Sequence, residues 1–394
     1  MNLTDRTAKA LLAATFVCGL ATASGCSHGE SSSEPLSRGH PDCFSYTHHA
    51  HSEHHKGAHQ ALTRLKLRVP DWLSQQDVPS VAVTYISEGT LNWTLVCGEQ
   101  QPGIRASETT LYNTASMAKP MVGEIVLRAA SRGLVTLDEP MARHWTDPDI
   151  ENDPRRMWLT PRIAMAHQTG FKNWRRLSDG RLAFQWDPGT QTAYSGEGVR
   201  YVVRFLENKL GTPFEDIAQD LLFDSAGMGN TSFVGKRWFG ERVAWRKLGN
   251  GAWAEPEIND EPLGAGDVWT TSEDYARFVV ATLRSRDVSA DMIAERQSIA
   301  RDEASRWCGP GKAPMDVCPH EMGFSVGWYV YDYADHQLLA HNGSNEGEKT
   351  LAILVPELEI GFAIFTNGEN GKAVIGSIAR SLYDNPDFFQ LEGY

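Results

Sequence analysis

A serine stands three residues ahead of a lysine, Ser116 and Lys119 in "NTASMAKP", where apolar residues begin to recur with helical period (Val122, Ile125, Val126, Ala129). On a helix, positions i and i+3 share a face, which puts the Lys119 amine beside the Ser116 hydroxyl at the positive end of the helix dipole. Pro120 is tolerable so near a helix start. A serine hydroxyl needs a base to become a nucleophile. A lysine can be that base once burial and neighbouring positive charge bring its pKa from about 10.4 to near 7, a change of roughly 4–5 kcal/mol. By itself the spacing is equally that of a helix cap followed by a solvated lysine.

Two later stretches change the weight of the pair. "FQWDPGTQTAYSG" places Tyr194 after a Pro-Gly turn, and "HNGS" places His341, Gly343 and Ser344 in a β-type run. Serine-x-x-lysine, then a tyrosine motif, then Lys/His-x-Gly on a strand: in that order the chain resembles the penicillin-recognising serine hydrolases. It is most similar to the branch holding class C β-lactamases, D-alanyl-D-alanine carboxypeptidases and related esterases. "AHQTGF", "GMGNTSF", "GAGDVWTTSEDYARF" and "TNG" extend the resemblance over roughly residues 62 to 385.

The resemblance implies an acyl-enzyme mechanism with no cofactor and no metal. Ser116 would be the acylated nucleophile and Lys119 would take or relay its proton. Tyr194 would be the partner base and later the acid toward the leaving group. His341 fills the Lys/His position of the strand motif. Gly343 leaves room for substrate, with Ser195 and Ser344 beside it. The N–H groups of Ser116 and Ser344 would form an oxyanion hole, a feature worth about 3–4 kcal/mol in the transition state. The middle motif departs from the usual Tyr-x-Asn: here it is Tyr194-Ser195-Gly196, with no carboxamide for a substrate amide. That leaves esters or an unusual peptide more open than β-lactams. His341, with an ordinary pKa near 6.5, would carry only part of a charge at pH 7 and make a weak, pH-sensitive carboxylate clamp. His167 in "AHQTGF" reads as structural, because Lys119 and Tyr194 already fill the base role. Trp174, Trp186 and Trp269 line either the cleft or the core.

The elements that must position these groups follow from pattern. "LTRLKLRVPDWLSQQDVPS" predicts a helix ending near Pro79, and "VAVTYISEGTLNWTLVCGE" a β-hairpin. The middle of the chain is helical patterns and loops. "FSVGWYVYD", "QLLAHNGS", "KTLAILVPE" and "IGFAIFTNG" are short β-type runs, and "GKAVIGSIARSLYD" a closing helix. The order predicts an α+β fold: one antiparallel sheet from both ends of the chain, flanked by N- and C-terminal helices, with a mostly helical lobe between. This is the β-lactamase/transpeptidase-like arrangement that the resemblance implies. The expected boundaries are an export signal at 1–25, a polar His-rich tether at 26–60, a hydrolase domain at 61–385 and a tail at 386–394. Within the domain, 61–115 and 320–385 form the sheet lobe and 116–319 the helical lobe.

"ALLAATFVCGLATAS" after Arg6 and Lys9 reads as an export signal too short to span a bilayer. Ala21-Thr22-Ala23 fits ordinary cleavage; "ASGC" resembles a lipoprotein box, and a lipidated Cys26 would tether the protein to a membrane. We therefore expect an exported, periplasmic or cell-envelope protein, and a monomer. Losing Cys18 and lipidating Cys26 leaves four of the six cysteines, which we pair as Cys43–Cys97 and Cys308–Cys318. Cleavage after Ala23 would instead leave one odd. Seven of the 13 histidines fall between residues 40 and 59. His48, His49, His51, His54 and His55 match no closed metal site, so the segment reads as solvated, with loose zinc or copper binding as the alternative. A net charge of −13 gives no general attraction for nucleic acid. The functional expectation is a serine hydrolase of D-amino-acid peptides or small esters. A class C-type β-lactamase and a catalytically silent envelope-binding protein of the same fold are the competing readings.

Overall fold

The computed structural model describes residues 42–48 and 56–394. The export signal, Cys26 and all the metal candidates except His48 lie outside the described residues. Among those described, no group of three or more His, Cys, Asp or Glu could hold a metal ion, and no helix is long and apolar enough to cross a membrane.

Nine strands build the main sheet: β1 (Cys43–Thr47), β2 (Ser80–Ser87), β3 (Thr90–Gln101), β4 (Ile104–Arg105), β5 (Glu321–Phe324), β6 (Tyr329–Asp332), β7 (Gln337–Asn345), β8 (Glu348–Val355) and β9 (Ile360–Thr366). The order is β1-β3-β2-β9-β8-β7-β6-β5, with β4 on β3, and every pairing is antiparallel. The predicted α+β class holds, with the sheet drawn from both ends of the chain.

Alternation along the central strands explains why both faces are covered. In β2, Val81 and Val83 join one core and Ala82 another; in β9, Ile364 joins the first and Phe365 the second. The first core takes in helix α1 (Lys56–Gln76) through Leu62, Leu65 and Val69. It also takes in a C-terminal helix (Gly371–Leu382) through Val374, Ile375 and Ile378. The second holds α2 (Ala118–Ser131), α3 (Gly196–Leu210) and α4 (Ser272–Leu283), the frame of the helical lobe.

Two boundaries move. Cys43–Thr47 falls in the stretch read as tether, yet it is a strand, with Cys43 opposite Cys97 and a disulfide joining them. The stretch read as a tail, 386–394, contains a helix (Pro386–Leu391) whose Phe388 and Phe389 are buried in the first core. Its two adjacent phenylalanines give no helical period, so the signal was composition alone. Cys308–Cys318 is also bonded, as paired from the sequence.

Candidate active site

Ser116 lies in a 3₁₀ turn, Ala115–Met117, that runs directly into α2. The residue before it, Ala115, is fully buried with φ at 46°, a left-handed conformation that costs a non-glycine residue roughly 1–2 kcal/mol. Neighbours hold that turn in place. The Asn113 carboxamide accepts from Ala115 N at 2.6 Å, Thr350 Oγ1 donates to Thr114 O at 2.9 Å, and the Tyr275 hydroxyl donates to Met117 O at 3.1 Å. Thr350 belongs to β8 and Tyr275 to α4, so sheet and helical lobe both grip the turn.

Lys119 is 1 % exposed, and its Nζ donates to Ser116 Oγ at 3.1 Å and to Ala265 O. The same nitrogen lies 4.8 Å from the centre of the Tyr194 ring. Burial lowers its pKa to about 7, opposed by the negative charge of Asp267. The expected shift is therefore present. Burial alone supplies it, without the neighbouring positive charge that the sequence argument invoked.

Tyr194 comes in on the segment ahead of α3. Burial pushes its phenol above the ordinary tyrosine value, and a side-chain hydrogen bond to Ser116 acts against that rise. The three side chains of the expected catalytic set thus converge. The protonation states are divided, however: burial keeps the proton on the phenol, whereas the Lys119 amine lies near its pKa at neutral pH.

His341 corrects a sequence expectation. Its ring is 6.2 Å from that of Tyr194, and burial together with the Lys119 charge lowers its pKa to about 3. It is neutral at physiological pH and offers no cationic clamp. Its Nδ1 donates to Asn342 O at 2.7 Å, which leaves Nε2 as a bare acceptor. The Nδ1 of His167 accepts from Ser195 N at 3.1 Å and its ring packs 4.4 Å from that of Tyr194.

The strand motif sits on an open edge. β6 pairs with β7 only from Gln337 to Ala340, so His341–Asn345 has β8 on one side and, among the described residues, no strand on the other. A Cβ on Gly343 would lie 2.2 Å from Thr350 Oγ1 and 2.5 Å from Thr114 O, so only glycine lets this strand approach the nucleophile turn. Ser344 and Ser116 line one cavity of about 470 Å³, together with Tyr194, Trp174, Asn259 and Asp267. Ser195 does not line it; it caps α3, accepting from Gly198 N at 3.1 Å and donating to Lys172 O at 3.1 Å. The substrate-binding role expected of Ser195 is thus a structural one.

Two residues at the cavity were not singled out for the roles they take. Asp267 is 4 % exposed, accepts from Leu263 N at 2.6 Å, and has a pKa that burial raises to about 6. An acid in the Gly/Ala-rich "GAGDVW" carries no sequence signal of its partner. Trp174 lies against Gly196: a Cβ there would meet indole carbons at 2.6, 2.8 and 3.0 Å. The missing carboxamide of the middle motif thus has an indole in its place.

The chain matches the Beta-lactamase family over residues 55–381. It is 24 % identical over 293 residues to a "Beta-lactamase" of Escherichia coli K12, covering 69 % of this chain and 71 % of that one. It is 23 % identical over 298 residues to the D-alanyl-D-alanine-carboxypeptidase/endopeptidase AmpH of the same organism, covering 68 % and 74 %. Penicillin-binding protein 4 of Amycolatopsis lactamdurans is 22 % identical over 338 residues, covering 78 % and 86 %. Among solved structures, the octameric penicillin-binding protein homologue from Pyrococcus abyssi shares the fold, with a TM-score of 0.66, 16 % identity, and coverage of 81 % and 76 %. By its match over most of its length, this chain belongs to the Beta-lactamase family.

Proposed function

We propose that the protein is an exported serine hydrolase that works through an acyl-enzyme at Ser116 on small esters or D-amino-acid peptides. The observation that carries this reading is the 3.1 Å contact between Ser116 Oγ and a buried lysine with a pKa of about 7. Neutral Lys119 takes the hydroxyl proton as Oγ attacks the substrate carbonyl. The N–H groups of Ser116 and Ser344 receive the negative charge that forms on the carbonyl oxygen. Tyr194 gives its phenolic proton to the leaving group and is reprotonated from the Lys119 ammonium. Water then enters, and the same groups in reverse order release the acid and free Ser116. Export rests on the apolar N-terminal stretch and its two basic residues.

Gly196 favours esters over β-lactams, because no carboxamide stands there to hold a substrate amide. A panel of nitrocefin, a D-Ala-D-Ala peptide and a p-nitrophenyl ester, with Ser116→Ala as control, tests the proposal. Ester or peptide turnover lost in Ser116→Ala is expected. Absence of turnover on all three, with no acyl adduct at Ser116, would establish the silent binding protein instead.

A further inference from the structure

The catalytic cavity lies between two others. One, of about 340 Å³, shares Tyr194 and Asn342 with it and is walled by aromatic rings including Phe324, Tyr329 and Phe388. The other, of about 660 Å³, shares Trp174, Asn259, Gly266, Ser344 and Asn345. A substrate whose leaving group must reach the Tyr194 phenol directs that group toward the first cavity. The acyl group is left the Trp174 side of the catalytic cavity, since the second cavity beyond it is lined mostly by charged groups such as Arg176, Arg246 and Glu257.

That indole is built into place. Gly196 N donates to Asn173 Oδ1 at 2.8 Å, Glu197 N to Asn173 O at 3.1 Å, and Arg175 N to Glu197 Oε1 at 3.0 Å. Three hydrogen bonds thus tie Asn173 and Arg175, on either side of Trp174, to the first two residues of α3, just after Tyr194. The ring is half-buried, packs on the core of the helical lobe, and fills the space over Gly196. A fixed, partly solvated indole beside the nucleophile is a flat apolar surface, and aromatic groups stack on such surfaces.

We propose that Trp174, seated on Gly196, is the acyl-group platform of this site and selects acyl donors that carry an aromatic ring. This rests on the serine hydrolase reading for the reaction, and only on the cavity for binding. Gly196 is required because any side chain there displaces the indole.

Two measurements test it. The first is the ratio of kcat/KM for p-nitrophenyl phenylacetate to that for p-nitrophenyl acetate, which keeps one leaving group and changes only the acyl part. Trp174→Ala should lower this ratio about tenfold, and Trp174→Phe should keep most of it. Gly196→Ala should lower it similarly, while adding Gly196→Ala to Trp174→Ala should cost nothing further, because the displaced ring is already gone. The second is calorimetric binding of phenylacetate and acetate to the Ser116→Ala protein, which needs no turnover. Phenylacetate should bind at least ten times more tightly, and Trp174→Ala should remove that difference. Equal ratios in wild type and Trp174→Ala, or equal binding of the two acids, would overturn the platform. A protein that binds phenylacetate selectively but hydrolyses neither ester would keep the platform and refute the hydrolase reading.

Discussion

Helix α2 withdraws Lys119, Glu124 and Arg128 from water, and the fold treats the first two, five residues apart, oppositely. Glu124 is fully buried and paired: Arg128 Nη1 lies 2.8 Å from its Oε2, and Arg296 meets both oxygens at 2.5 and 2.8 Å. The two guanidiniums hold its pKa below the usual carboxylate value against the opposing effect of burial. Lys119 is as deeply buried, but among the described residues no carboxylate lies within ion-pair reach of it. Its partners are a hydroxyl and a carbonyl, and its pKa falls to about 7. A buried charge that serves structure is paired. The one that the proposed mechanism requires to give up a proton near pH 7 is left without a carboxylate partner among the described residues.

Removing each group should therefore have opposite consequences. Lys119→Met should lower kcat/KM by about 10²–10⁴-fold, the usual contribution of a general base. Its melting temperature should stay level or rise, because a desolvated amine is replaced by an apolar chain. A clear drop in stability would mean that Lys119 is a structural cation after all. Glu124→Gln should cost about 3–5 kcal/mol in urea denaturation, since Arg128 and Arg296 are left uncompensated. A loss below about 1 kcal/mol would break the contrast.

Smaller effects sharpen it. In the proposed mechanism Lys119 works as the neutral amine, so kcat/KM should rise with pH through about 7 and level off above it. The Asp267 anion stabilises the ammonium and so raises this pKa. Asp267→Asn should move the acid limb to lower pH while keeping the Leu263 N–H acceptor. His341→Gln should leave the limb where it is, because the histidine is already neutral at pH 5 and above. A limb that shifted with His341→Gln would mean that the imidazole is charged in the working range.

What the sequence revealed of this site depended on the range of the interaction. Ser116 and Lys119 were legible because a single helical turn joins them. Gly343 was legible through the resemblance, as room for substrate, whereas its close approach to Thr350 Oγ1 and the Thr114 carbonyl emerged only in the folded chain. The sheet was legible through the short apolar and β-branched runs of β2, β8 and β9. The free-solution pKa of His341 misled, because its burial and its distance from Lys119 are set by the whole fold. Asp267 and the Trp174–Gly196 contact were hidden for the same reason: each depends on segments 22 to 148 positions apart in the chain meeting across the cavity. Strand β1 was missed because it lies in polar, His-rich sequence and is secured by its pairing with β3 and the Cys43–Cys97 bond.

The most direct test is the pH dependence of fluorophosphonate labelling, with the modified peptide located by mass spectrometry. An adduct on Ser116 whose formation rate is half-maximal near pH 7 is the predicted result. An adduct elsewhere, or a Ser116 rate that is flat from pH 5.5 to 9, would contradict an unpaired Lys119 as the base.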